Sequence, residues 1–170
     1  RDEMGAPEFY APGAKLVPIA GAHDKLTPDA TARAIDDIGG TGRLAVPACV
    51  SLTQATECGT VYGAGEVRAL ADIAHRSGCG VHVDGARFAN AVVATGASPA
   101  DLTWRAGVDV LIFGATKNGF SPVQISNAFA GISGGGTAGA GPSGDGPIAG
   151  SSSSGTVIGR LAASEWRSSA

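Results

Sequence analysis

The chain has 170 residues, enough for about one domain with its own core and no need of disulfides or a metal to fold. It is 44% hydrophobic and 16% charged with net charge −3, which argues against the broad basic surface of a nucleic-acid binder. No apolar run nears the ~18 residues of a membrane span, and no charged-then-apolar leader opens the chain.

Local signals alternate between helix and strand over residues 1–119, which predicts an α/β sandwich. Thr27-Pro28-Asp29 reads as a helix start, with a hydroxyl cap, proline at the first helical position and an acid facing the dipole. This helix should run to about Ile38 and stop at Gly39-Gly40. Residues 46–52 form a short apolar run, read as a buried strand, with Pro47 tolerable near its start. Gly65 to Ser77 carries Val67, Leu70, Ile73 and Ala74 at helical spacing, and Gly78 suits the position after its end. Residues 80–84 read as a strand ending in an acid, Arg87 to Thr95 as a short helix, and Ser98-Pro99 as the start of another. Val108 to Phe113 reads as a strand, followed directly by Gly114-Ala115-Thr116-Lys117.

Beyond residue 120 the composition changes. Residues 131–170 hold 11 Gly and 9 Ser, so half of them favour flexible coil over a packed core. The expectation is a disordered or irregular tail.

Cys49, Cys58 and Cys79 are odd in number and form no CxxC pair, so no disulfide framework or zinc site is indicated. Unpaired thiols suit a reducing cytoplasm, and all three read as small core fillers. His23 and His75 read as surface residues. No metal is expected.

The chemistry lies at two strand ends. Asp84 ends one strand and Lys117 follows another, where ligands gather in open α/β sheets. A carboxylate and a lysine held there suit pyridoxal 5'-phosphate: the lysine joins the aldehyde carbon and the acid pairs with the pyridinium nitrogen. Lysine is scarce, with only Lys15, Lys25 and Lys117, and small residues flank Lys117. Desolvation there would favour the Schiff base. On pattern alone the alternative stays open that Asp84 caps a helix and Lys117 is an exposed loop lysine.

Two segments carry a family resemblance. Val-His-Val-Asp-Gly-Ala-Arg-Phe-Ala-Asn-Ala (81–91) resembles the pyridine-binding segment of the threonine aldolases, and Ile-Phe-Gly-Ala-Thr-Lys-Asn-Gly (112–119) their cofactor-lysine segment. Stretches 2–9, 13–19, 25–28, 51–62 and 98–104 match in the same order, so the resemblance covers about residues 1–119. It implies a three-layer α/β sandwich, part of the large domain of a fold type I enzyme with the aspartate-aminotransferase-like architecture. It also implies a cytoplasmic homo-oligomer that binds a small amino-acid substrate, with neither nucleic acid nor membrane as partner.

The implied activity is cleavage of L-threonine or L-allo-threonine to glycine and acetaldehyde. Lys117 is then the Schiff-base lysine, Asp84 the partner of the pyridinium nitrogen and Thr116 a further cofactor contact. Arg87 grips the substrate carboxylate, while Thr53 and Gln54 lie near the ring or the substrate hydroxyl. His82 shares a strand face with Asp84 and reads as a core histidine. The match stops after Gly119. The family's phosphate-binding turn, stacking histidine, second carboxylate-binding arginine and small domain are not found. The expectation is a truncated domain, 1–119, followed by a Gly/Ser-rich tail, 120–170, without family resemblance, which is either disordered, translated out of frame or a degraded gene end. A non-catalytic remnant and another fold type I lyase remain as alternatives.

Overall fold

The computed structural model describes residues 6–11, 13–40, 46–120 and 156–160. Its centre is a five-stranded sheet in the order β1-β5-β2-β3-β4, with β1 at Ala14–Pro18, β2 at Val46–Thr53, β3 at Gly80–Asp84, β4 at Val110–Ile112 and β5 at Thr156–Arg160. Strands β2, β3 and β4 run parallel, and β5 pairs antiparallel with both β1 and β2. The helices are α1 (Ala6–Tyr10), α2 (Pro28–Gly40), α3 (Ala64–Arg76) and α4 (Phe88–Thr95). No helix among the described residues is long and apolar enough to cross a membrane.

Local chemistry accounts for the helix ends. The Thr27 hydroxyl accepts from the Ala30 amide at 3.3 Å and starts α2. At α3 a glycine stands at the cap, so Glu66 supplies the side chain, accepting from the Gly63 amide at 2.8 Å. Gly96, at φ 65°, closes α4 in the left-handed conformation that glycine adopts without a Cβ penalty.

The parallel strands alternate strictly. Val50, Leu52, Val81 and Val83 face one side and are almost fully buried against Ile35 and Ile38 of α2 and Val67, Leu70, Ala71 and Ala74 of α3. The other side carries Cys49, Ser51 and Thr53 from β2, His82 and Asp84 from β3, and Val110 and Ile112 from β4. Val110 and Ile112 are about half exposed there. The described residues therefore make one helical layer of α2 and α3 on one face of a mixed sheet, an α/β arrangement.

Several elements differ from the sequence reading. The 46–52 run is buried on one face only, because the strand period turns alternate side chains away from the helices. Ser98 does start a turn, its hydroxyl donating to Asp101 at 2.6 Å, but no α-helix follows. Thr103 leaves helical geometry, its hydroxyl donates back to the Pro99 carbonyl at 2.6 Å, and only a three-residue 3-10 helix, Trp104–Ala106, forms. Strand β4 is shorter than residues 108–113, since Val108 is drawn into the core. Of the cysteines only Cys79 is a core filler; Cys49 is half-buried and Cys58 lies exposed in a turn. Both His23 and His75 are exposed.

Most of the expected irregular tail, residues 121–155 and 161–170, lies outside the described residues. Within it Thr156–Arg160 is a strand inserted between β1 and β2, where no strand was expected. Its Thr-Val-Ile start has the β-branched composition that suits a strand.

Candidate active site

The site grows from the carboxyl ends of the three parallel strands. Thr53, Asp84 and Ile112 are the last residues of β2, β3 and β4 and stand side by side in register. Asp84 is half-buried. Its Oδ1 accepts from the Ala86 amide two residues on at 2.9 Å, which curls the chain away from the strand. Its Oδ2 takes no hydrogen bond among the described residues.

Gly85 makes this turn possible. A Cβ at Gly85 would sit 2.7 Å from Leu111 Cδ1 and 2.9 Å from the Ile112 carbonyl oxygen. The Gly85 amide donates to that same carbonyl at 2.7 Å.

Lys117 lies in the turn after β4, and this turn is fastened to the first. A Cβ on Gly114 would come within 3.2 Å of Ala86 Cα. Asn118 completes the fastening. Its Nδ2 donates to the carbonyls of Gly85 at 2.8 Å and Gly114 at 2.5 Å, and its Oδ1 accepts from the Ala89 amide of α4 at 2.7 Å. The two elements expected to hold a cofactor therefore share one polar bracket. Thr116 and Lys117 are both exposed, so the described residues do not enclose the amine as the sequence reading expected.

Arg87 caps α4, and its guanidinium is held by Glu57 in two parallel bonds, Nη1 to Oε1 at 2.9 Å and Nη2 to Oε2 at 2.6 Å. That fork geometry is also the one by which an arginine grips a free carboxylate. The loop between β2 and α3 is tied to the Asp84 turn by Gln54 N–H to the Asp84 carbonyl at 2.9 Å and Ala55 N–H to the Arg87 carbonyl at 3.4 Å.

Gln54 sits differently from the sequence reading. Its side chain is buried, with Nε2 donating to the Tyr62 carbonyl at 2.7 Å and Oε1 accepting from the Tyr62 amide at 2.9 Å. Both ends of the amide are thus committed to the loop. Tyr62 is itself fully buried, its hydroxyl accepts from the Leu26 amide at 2.6 Å, and burial pushes its pKa up to about 12. His82 is half-buried on the open face, its Nδ1 2.8 Å from Ser51 Oγ. Burial holds the imidazole below its ordinary pKa although Asp84 pulls the other way.

A family model described as Beta-eliminating lyase matches residues 1–126. The chain belongs to the beta-eliminating lyase family. Within reach of this family member are two relatives, both described as low specificity L-threonine aldolase. One, from a Pseudomonas species, is 45% identical over 120 residues, and one from Pseudomonas aeruginosa is 48% identical over 120 residues. Each alignment covers 71% of this chain and 34% of the relative, so the chain spans about a third of the length of the curated relatives it matches.

Two residues of this candidate site are not singled out by the sequence. Asn118 follows the lysine and stands in the sequence only as part of a motif; an amide in a glycine-rich turn is the available hint. Glu57 is the acid of the loop after β2, in Thr-Glu-Cys-Gly, and nothing local says that its partner lies 30 residues on.

Proposed function

We propose that this chain forms part of the cofactor-binding large domain of an enzyme that cleaves L-threonine or L-allo-threonine to glycine and acetaldehyde with pyridoxal 5'-phosphate. The observation that carries the reading is the Asn118 bracket, which joins the Lys117 turn to the Asp84 turn. The 45–48% identity to two aldolases supports this activity over others in the family.

The residues fit the cofactor. Asp84 Oδ2 is open to accept a hydrogen bond, and the lysine that would join the aldehyde is exposed on a turn fastened beside it. When bound, the cofactor supplies an electron sink for the pair released as the substrate's Cα–Cβ bond breaks. Asp84 would hold the pyridine nitrogen protonated, Lys117 would carry the cofactor, and Thr116 would supply a further polar contact to it. Arg87 fixes the substrate carboxylate and so the orientation of the bond to be broken. Thr53, beside Asp84 at the strand end, stands near the substrate hydroxyl. Gln54 serves by holding the loop that follows Thr53.

The same reading extends the described helical layer to the three-layer sandwich of a fold type I homo-oligomer. Three free cysteines support a reducing, cytoplasmic setting.

The family description favours one competing reading, β-elimination. The test is to load the full chain with pyridoxal phosphate, reduce one portion with borohydride to map the tag, and assay an unreduced portion with L-threonine. A single tag on Lys117 with equal glycine and acetaldehyde supports the aldolase. Release of ammonia and 2-oxobutyrate instead supports elimination. No selective tag and no product marks a non-catalytic remnant.

A further inference from the structure

We propose that Glu57 is an internal carboxylate that occupies the fork of Arg87 in the absence of ligand and must be displaced by a ligand's carboxylate. The inference rests on the reading of Arg87 as the carboxylate-binding residue. Glu57 holds both terminal nitrogens, at 2.9 and 2.6 Å, so the edge that best grips a carboxylate is already taken. The pair is charge-neutral, so an incoming carboxylate meets no net attraction until Glu57 leaves.

The backbone around the pair is held by a set of hydrogen bonds, while the Glu57 side chain is accessible. Thr56 N–H donates to the Thr60 carbonyl and Gly59 N–H to the Thr56 carbonyl, both at 2.9 Å, with Gly59 at φ 76°. The hydroxyls of Thr56 and Thr60 lie 2.6 Å apart, and Thr60 Oγ1 donates to the His23 carbonyl at 2.6 Å. Ala55 N–H ties this turn to the Arg87 carbonyl. The Glu57 side chain, in contrast, is 38% exposed. Release therefore needs only a rotamer change of an accessible side chain, a fast motion that leaves the fold intact. Only ligands whose carboxylate outcompetes Glu57 gain the arginine, which disfavours neutral amines and alcohols.

Acetate is the probe, and side-chain NMR of the full 170-residue chain at fixed pH and ionic strength is the readout. In the wild type, the Glu57 carboxyl carbon and the Arg87 Nη signals should move together with the same acetate dependence. In Glu57→Gln the half-saturating acetate concentration should fall about two- to fivefold, the range that an accessible ion pair allows. Glu57→Asp, one methylene too short to keep both bonds, should fall between. An unchanged or higher half-saturation in Glu57→Gln, with acetate still lost in Arg87→Gln, overturns the latch alone. Acetate binding that survives Arg87→Gln, or that is absent from both wild type and Glu57→Gln, overturns the reading of Arg87 itself.

Discussion

Asn118 donates from Nδ2 to the carbonyl of Gly85 at 2.8 Å, across 33 residues of sequence. Through this bond the turn that carries Lys117 is registered against the turn that follows Asp84. The same side chain accepts from the Ala89 amide, so it caps α4 from a distant part of the chain. One amide thus couples a helix start, the acid turn and the lysine turn.

Replacing Asn118 by alanine should cost about 1–3 kcal/mol, because the Ala89 amide and the Gly114 carbonyl lose their partner together. Asn118→Asp should be no better, since it keeps the acceptor but sets an oxygen against two carbonyls. Urea unfolding measures the loss. Borohydride tagging at Lys117 should fall in both variants even at temperatures where they remain folded. Full tagging in a folded Asn118→Ala would sever the bracket from the cofactor chemistry.

Gly85 and Gly114 should rank in a definite order when changed to alanine. At Gly85 the new methyl meets Leu111 Cδ1 at 2.7 Å and a backbone oxygen at 2.9 Å, and the backbone cannot give way cheaply. The expected loss is about 1–3 kcal/mol. At Gly114 the nearest atom is at 3.2 Å, so a shift of a few tenths of an ångström relieves it and the loss should be smaller. Equal midpoints for the two variants in denaturant would contradict this order.

Asp109 predicts an acid-side dependence. Its Oδ2 accepts from His75 Nε2 at 2.9 Å and from the Val81 amide at 2.7 Å, and these partners hold its carboxyl below the usual range, the histidine contributing most. A depressed native pKa means stability that is present above the unfolded value and lost as pH falls through the native one. Asp109→Asn should therefore flatten the stability curve below about pH 4, near the ordinary aspartate value. At neutral pH the change should stay within about 1 kcal/mol, as both partners are accessible. Thermal melts from pH 2 to 7 on both proteins decide it.

What could be read from the sequence was local. Thr27-Pro28-Asp29 announced α2 because a cap and its helix are contiguous, and the hydroxyl bond to Ala30 is its direct consequence. Asp84 at a strand end and Lys117 beyond another were legible from motif and alternation, and both lie where the strands end. Strand β5 was hidden because only three strand-forming residues, Thr156, Val157 and Ile158, stand in a Gly/Ser-rich stretch, and the strands it joins lie far back in the chain. The anchoring of Gln54 was not legible because burial of its amide against Tyr62 depends on how the loop folds back, not on residue type. Glu57 was missed for the related reason that an ion pair between two loops leaves no periodic trace.

Tyr62 offers the alkaline counterpart. Its hydroxyl is buried and accepts from the Leu26 amide, and burial lifts its pKa to about 12 from an ordinary 10. The native state thus favours the neutral phenol. A raised native pKa contributes stability that is complete below the unfolded value and is lost as pH rises through the native one. The wild type should therefore lose stability progressively between about pH 10 and pH 12, the interval between the two values. Tyr62→Phe removes that slope. It also leaves the buried Leu26 amide without its acceptor, which should cost about 1–3 kcal/mol at neutral pH. The two stability curves should accordingly converge as pH rises. Urea midpoints at pH 7, 10 and 11.5 for both proteins test this, and a gap that stays constant across the three would mean that the phenol does not titrate with unfolding.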